Sequence, residues 1–531
     1  MPETTELAHR PATSSMNESN SARICIPICV THARDISKMI ERAAEVADII
    51  ELRLDCLEQN EFEKAARAIS AWLKGGRSFI LTLRPLEQGG KRALDYVTRY
   101  AFHSSHQKLA AETFADIELD LALALKDDAH LDPSFDWSRI ICSHHDFARV
   151  PADLEEIYTR MAATPARVLK IAVQADDAID CLIVFQLLER ARLEQREMIA
   201  IAMGEAGIAT RILAPSRGAF LTYVALDEAH TTAPGQISAK DLRELYRVDQ
   251  LNEQTQITGL IGSPVAHSVS PQMHDAAFAA RGMNAVYIPF ETRNAGEFMR
   301  RMIHPRTREI KWNVRGLSVT APHKSAVMPH LDWIEPVARE IGAVNTIVVA
   351  RDELHGYNTD AAAFLAPLKN RVSDLHNARC AILGAGGAAR SALWSLKQAC
   401  ANVTLFARNQ TRAGELAEKF DARCEQLADA DLCGFDVVIN TTPLGTRGTL
   451  ENETPALANQ LHGARLVYDL VYNPFETRFL REARIAGCEV IGGLSMLVHQ
   501  AAAQFELWTN ADAPFDVMRE AAERKLSNPK F

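Results

Sequence analysis

Eight short apolar runs, at residues 24–30, 48–54, 78–83, 114–119, 139–143, 168–173, 198–202 and 219–225, alternate with amphipathic stretches of helical period. Each run has strand length, and each intervening stretch can carry a crossover back to a parallel neighbour. Eight such units between Arg23 and Tyr246 fit a (β/α)8 barrel better than an open doubly wound sheet.

Charge enters these runs on one face only. In Ile50-Glu51-Leu52-Arg53-Leu54-Asp55, period-two alternation aligns Glu51, Arg53 and Asp55, and Asp116, Glu118 and Asp120 alternate likewise. Aligned charges on several strands predict a polar inner surface opening at the C-terminal mouth of the barrel. One lysine lies in the apolar segment Arg167-Val-Leu-Lys170-Ile-Ala-Val-Gln174. Burial disfavours an ammonium and favours a neutral amine, the form that attacks a ketone. A strand-end lysine whose head reaches water is the competing reading. Cys142-Ser-His144-His145-Asp146-Phe147 follows the fifth run, one βα unit before Lys170. Adjacent histidines point to opposite faces, so one of the two is expected to face the mouth and shuttle protons. Arg84 after the third run, Arg211 after the seventh and Ala233-Pro-Gly-Gln236 after the eighth are also placed at this mouth, where arginines suit a carboxylate.

The chain has 531 residues and a formal net charge of −10, which gives no sign of nucleic-acid binding. No apolar stretch approaches the roughly 20 residues of a membrane helix. Ten cysteines lack CxxC pairs or zinc-ligand spacing, so no metal is expected, and reduced thiols in a cytoplasmic protein are the simplest account. Residues 1–22 read as a disordered tail without an apolar h-region, and Glu3, Glu6 and Glu18 argue against a transit peptide.

After a short polar linker at 248–255, a second grammar begins. Cys380-Ala-Ile-Leu-Gly384-Ala-Gly386-Gly387-Ala-Ala389-Arg is a strand, a glycine turn and a helix start, the context of a dinucleotide fingerprint. The next strand, beginning at Val403, ends without an acidic residue for a ribose hydroxyl and offers Arg408 and Arg412 instead. Two arginines there suit a 2′-phosphate, so NADP is favoured over NAD.

The segments Glu51-Leu-Arg53, Thr82-Leu-Arg84, His144-His145-Asp146-Phe147, Val168-Leu-Lys170-Ile and Ala233-Pro-Gly-Gln236 together resemble type I 3-dehydroquinate dehydratases over residues 23–247. The resemblance implies Lys170 as Schiff-base lysine and His145 as general acid and base. It implies Glu51, Arg53, Arg84, Arg211, Thr232 and Gln236 as substrate-binding residues. Two departures stand out: Gln88 precedes the Gly-Gly pair where the family often has glutamate, and Thr232 replaces a serine.

From residue 256 onward the chain resembles shikimate dehydrogenase, through Ala266-His-Ser268-Val-Ser270-Pro271, Ser-Val-Thr320-Ala-Pro-His-Lys324, Gly342-Ala-Val-Asn345-Thr, Gly356-Tyr-Asn358-Thr359-Asp360 and Gly492-Gly493-Leu-Ser-Met-Leu-Val-His-Gln500. That resemblance implies Lys324 and Asp360 as a catalytic pair, with Ser268, Ser270, Thr320, Asn345, Tyr472 and Gln500 holding the substrate. It implies Gly384, Ala385, Gly386, Gly387, Ala388, Arg408, Arg412, Leu470 and Gly493 around NADP. The expected layout is a barrel, a substrate-binding lobe at 256–370 completed by helices at 495–531, and a Rossmann lobe at 371–494. The implied activity is bifunctional: dehydration of 3-dehydroquinate, then NADPH-dependent reduction of 3-dehydroshikimate to shikimate. Alternatives are a quinate or NAD preference, or a non-catalytic binding protein similar to the fungal quinate repressors.

Overall fold

The computed structural model describes residues 22–105, 113–372 and 374–528, so the expected N-terminal tail, apart from Ala22, lies outside the described residues. The first unit is an eight-stranded parallel sheet: β1 (Ile24–Ile28), β2 (Ile49–Arg53), β3 (Ser78–Thr82), β4 (Thr113–Glu118), β5 (Ile140–Asp146), β6 (Val168–Gln174), β7 (Glu197–Met203) and β8 (Thr222–Tyr223). Their spatial order is β7-β6-β5-β4-β3-β2-β1-β8. The eighth strand is shorter than the sequence suggests. Its ladder is limited to β1, and the Phe220 N–H donates to the Met198 carbonyl at 2.8 Å to draw the ends of the sheet together.

Inward residues climb from apolar to polar along each strand, as period two requires. Ile49, Glu51 and Arg53 do so on β2, Phe114, Asp116 and Glu118 on β4, and Ile141, Ser143 and His145 on β5. The apolar floor, including Ile49, Ile80, Phe114, Ile141 and Val168, forms its own cluster inside the barrel. The floor dries the base of the cavity, and the charged layer above it must find partners within the barrel.

Two further sheets follow. β9 (Gln256–Gly262), β10 (Ala285–Glu291), β11 (Asn313–Val319), β12 (Trp333–Ile334), β13 (Thr346–Ala350) and β14 (Glu353–Tyr357) form a mixed sheet in the order β10-β9-β11-β13-β14-β12. β15 (Arg379–Leu383), β16 (Asn402–Ala407), β17 (Arg423–Gln426), β18 (Val437–Asn440), β19 (Leu466–Asp469) and β20 (Glu489–Ile491) are all parallel in the order β17-β16-β15-β18-β19-β20, the doubly wound dinucleotide arrangement. Helices Leu494–Thr509 and Phe515–Leu526 return to the mixed sheet, where the Trp508 indole donates to the Ile347 carbonyl at 3.0 Å.

The connection at 248–255 is not a free tether. Val248 and Leu251 are buried in an apolar cluster that runs from the barrel into the mixed sheet. Asp177, in the loop after β6, accepts from the Arg293 N–H at 2.7 Å and the Thr292 hydroxyl at 3.1 Å, just after β10. Packing rather than linker length therefore sets how the barrel meets the second half.

The cysteine expectation needs correction. Cys29 and Cys56 form a disulfide, with their Cα atoms 5.4 Å apart. Cys29 follows β1 and Cys56 ends the turn after β2, so parallel pairing brings together two residues that sequence spacing kept apart. The other eight cysteines are free.

Candidate active sites

The first site is the charged layer of the barrel. Lys170 is only 4% exposed, so the reading of a lysine whose head reaches water does not hold. Its Nζ lies 2.8 Å from Asp116 Oδ2, 2.9 Å from the Tyr223 hydroxyl and 3.5 Å from Glu51 Oε1. It is thus an ion-paired lysine rather than the unpartnered amine the sequence suggested. A buried ammonium costs several kcal/mol to desolvate, on the order of what a well-made carboxylate contact returns.

Asp116 also meets the Arg84 guanidinium at 2.8 Å. Burial pushes the Asp116 carboxyl up, but Arg84 and Lys170 outweigh it and hold it well below the usual aspartate range. Arg84 is fully buried and bonds Glu118 at 3.1 Å, the Ser143 hydroxyl at 2.8 Å and His145 Nδ1 at 3.2 Å. It organises the barrel's own groups while lining the same cavity as Lys170 and His145.

His145 lies on β5, which runs on to Asp146 instead of stopping before the histidines. Alternation turns His145 inward and His144 outward. Burial, then Arg84 and Lys170, push the His145 pKa well below the ordinary histidine value, so its ring is neutral near pH 7. Arg84 can only donate, so it occupies the lone pair on Nδ1. A base at this position needs that contact to open when substrate binds. Phe147 stacks on the ring at 6.3 Å, and Gln88 Oε1 accepts the His145 N–H at 2.8 Å.

Arg53 is paired with Asp55 through two bonds of 2.9 and 2.8 Å. Arg211 differs: among the described residues it forms no ion pair, and it donates to the carbonyls of Tyr223 and Pro234 at 3.0 and 3.2 Å. Burial lowers its pKa to about 10, leaving a charged, dry guanidinium. Gln236 folds against Thr232, accepting its N–H at 2.7 Å, and both line the same cavity as Lys170, His145 and Arg211.

The second site gathers where the mixed sheet meets the helix Asp360–Lys369. Lys324 Nζ contacts Asp360 Oδ2 at 2.5 Å, and Asn345 donates to Asp360 Oδ1 at 2.8 Å and to Thr359 at 2.9 Å. Asp360 opens its helix, where the dipole favours its charge. The Ser270 N–H donates to the Ser268 hydroxyl at 3.2 Å, and Tyr287 donates to the Ser318 hydroxyl at 2.8 Å. Thr320 follows β11 on the way to Lys324, and the Gln500 carbonyl accepts from the Thr359 hydroxyl at 3.4 Å.

The glycine turn faces this pair. Gly384 has φ +113°, and a Cβ on it would lie 2.7 Å from the Thr441 hydroxyl. A Cβ on Gly386 would meet nothing within 4 Å, so space is left for a ligand at the start of helix Gly387–Gln398. A Cβ on Gly387 would come within 3.2 Å of the Lys324 side chain, which places the turn beside the catalytic candidate. Ala385 and Ala388 are half-buried in the turn, and Gly493 packs so tightly on the Leu470 carbonyl that a Cβ would reach 2.4 Å. Arg408 and Arg412 are exposed after β16 and, among the described residues, form no ion pair.

Family comparison agrees with this division. Residues 24–253 match the type I 3-dehydroquinase model, and residues 260–347 match the shikimate dehydrogenase substrate binding domain. Residues 367–470 match shikimate / quinate 5-dehydrogenase, and 493–523 the shikimate 5′-dehydrogenase C-terminal domain. The bifunctional 3-dehydroquinate dehydratase/shikimate dehydrogenase of Arabidopsis thaliana, a chloroplastic protein, is 33% identical over 93% of this chain and 83% of its own length. The chain belongs to the bifunctional 3-dehydroquinate dehydratase/shikimate dehydrogenase family. Shikimate dehydrogenases (NADP(+)) of Moorella thermoacetica and Carboxydothermus hydrogenoformans are 44% and 39% identical over 53% and 51% of the chain, each covering 98% of its own length.

Sequence reasoning overlooked several residues of this bifunctional enzyme. Asp116 and Glu118 were visible as inward charges, but nothing in the pattern paired them with Lys170 and Arg84. Tyr223 sits in a two-residue strand, too short to carry an alternation signal. Arg390 and Lys419 come together only through folding: a Cβ on Gly342 would lie 3.4 and 3.3 Å from their charged ends.

Proposed function

We propose that the dehydratase site works through a Schiff base on Lys170 and the dehydrogenase site through Lys324, Asp360 and NADPH. The observation that carries the first part is a buried lysine lining one cavity with a neutral histidine and with Arg211, a buried arginine that forms no ion pair among the described residues. Lys170 condenses with the ketone of 3-dehydroquinate, and the iminium acidifies the neighbouring C–H. His145 takes that proton and returns it to the departing β-hydroxyl, while Arg211 holds the substrate carboxylate. Gln236 and Thr232 close over the ring.

In the second site, the open space at Gly386, with Arg408 and Arg412 free of ion pairs among the described residues, fits a dinucleotide with a 2′-phosphate. NADPH, when bound, supplies the hydride. Lys324 faces the ketone oxygen as it gains charge and hands it a proton, with Asp360 and Asn345 fixing the ammonium. Ser268, Ser270, Thr320, Tyr472 and Gln500 hold the remaining substrate oxygens. The relatives' NADP(+) names support this cofactor choice.

No helix among the described residues is long and apolar enough to cross a membrane. Eight free thiols favour a cytoplasmic setting, and the Cys29–Cys56 bridge argues against it. Borohydride reduction in the presence of 3-dehydroquinate, followed by peptide mapping, tests the first mechanism. A mass label on Lys170 is expected; a label on another residue overturns it.

A further inference from the structure

We propose that Tyr223 is a catalytic residue of the dehydratase site, its hydroxyl carrying a proton from Lys170 to Glu51 and back. The inference rests on the reading of Lys170 as the Schiff-base lysine. An amine paired as an ammonium has no lone pair, so it must release a proton before it can attack a ketone.

Three groups touch the Lys170 nitrogen. Asp116 is the nearest carboxylate, at 2.8 Å, but it is bound equally closely to Arg84. Protonating it would leave a buried guanidinium without one of its partners, and the two cations already hold this carboxyl well below its usual range. Glu51 is a better acceptor because, among the described residues, no arginine pairs with it; its contacts are the Thr82 hydroxyl at 2.8 Å, Tyr223 and Lys170. At 3.5 Å, however, the direct contact to the lysine is longer than either leg through Tyr223, at 2.9 and 3.3 Å.

Tyr223 bridges that gap. Its oxygen accepts from Lys170 at 2.9 Å, and its hydroxyl donates to Glu51 at 3.3 Å. A phenol can accept one proton and pass on another in the same event. Burial, then Glu51, raises the Tyr223 pKa well above the usual phenol value, so the residue passes protons without resting as a phenolate. Packing does not require the oxygen: the ring lies in the apolar floor and under the Lys170 nitrogen at 4.1 Å, both of which phenylalanine would preserve.

The step balances. One ammonium proton moves to the Tyr223 oxygen as the Tyr223 proton moves to Glu51, and the nitrogen lone pair forms the C–N bond while the carbonyl π pair goes to oxygen. Glu51 returns its proton through Tyr223 to that oxygen. The nitrogen loses a second proton to the same oxygen, the C–O bond breaks, and water leaves an N-protonated imine. No net proton is gained or lost.

The test is Tyr223→Phe in the full chain, with the rate of borohydride trapping of Lys170 by 3-dehydroquinate measured against pH. At pH 7 the rate should fall at least about 100-fold, the usual worth of a positioned proton transfer. The deficit should shrink toward pH 10, where hydroxide replaces the relay. Glu51→Gln should show the same profile, and the double variant should be no slower than either single one. Hydrogen exchange of the barrel peptide Val168–Gln174 should match the wild type, which reports that the barrel is folded, and shikimate dehydrogenase activity of the same molecules should be unchanged. Equal trapping rates in wild type and Tyr223→Phe, or a deficit independent of pH, overturns the role of Tyr223. Failure of the wild type to label Lys170 instead overturns the underlying reading.

Discussion

Asp116→Asn removes a carboxylate shared by two buried cations, and its consequences can be worked from the contacts. Lys170 and Arg84 each lose a partner at 2.8 Å in a layer with almost no solvent access. Breaking a buried pair costs about 3–5 kcal/mol. Arg84 retains Glu118 at 3.1 Å and Lys170 retains Glu51 at 3.5 Å, which places the expected loss near the lower end. Adding Lys170→Met deletes one of the stranded cations, so the double variant should recover part of the loss and show a coupling of about 1.5–3 kcal/mol. Hydrogen exchange followed by mass spectrometry on peptides covering Thr113–Glu118 and Val168–Gln174 reads barrel stability separately from the other lobes. The pH dependence has a definite sign. Asp116 titrates lower when folded than unfolded, so its contribution is present above about pH 4 and lost as pH falls toward its folded value. The gap between wild type and D116N should therefore close in acid. Additive effects within about 0.5 kcal/mol, or a gap that persists at low pH, would refute the pairing argument.

Because burial, Arg84 and Lys170 keep the His145 ring neutral, the acid limb of dehydratase kcat/KM assigned to His145 should lie well below pH 6.5; a limb at or above the ordinary histidine value would contradict this. Arg408→Ala and Arg412→Ala should each raise KM for NADPH several-fold while leaving KM for NADH nearly unchanged, as expected for contacts to a 2′-phosphate; equal effects on both cofactors would remove them from that role. Lys324→Ala should lower dehydrogenase kcat far more than it raises KM for 3-dehydroshikimate; the reverse split would make it a binding residue.

The barrel was legible because its chemistry is written in period two. Alternation alone puts Glu51 and Arg53 of β2 on one face, and Asp116 and Glu118 of β4 on one face. Partner choice was not legible, since it depends on how neighbouring strands stagger. Arg84 reads from the sequence as a residue of the mouth, but its contacts to Asp116, Glu118 and His145 depend on stagger and side-chain length. Tyr223 lay inside an apolar run whose ladder shrank to two residues, so its hydroxyl gave no periodic signal. Cys29 and Cys56 are 27 positions apart in sequence and adjacent only because β1 and β2 pair in parallel. In the second half, the glycine turn marked the cofactor lobe from local backbone needs. The seating of Arg390 and Lys419 together beside Gly342 required the tertiary fold.

One chain carries the two activities, and we propose that the product of Lys170 chemistry is the ketone reduced at Lys324. A coupled assay containing 3-dehydroquinate and NADPH tests it directly. The wild type should oxidise NADPH with formation of shikimate. Lys170→Ala and Lys324→Ala should each be inactive alone, and a mixture of the two should regain activity after a lag as 3-dehydroshikimate accumulates. Absence of NADPH oxidation by the wild type, or failure of the mixture to recover, would rule out this pair of sites.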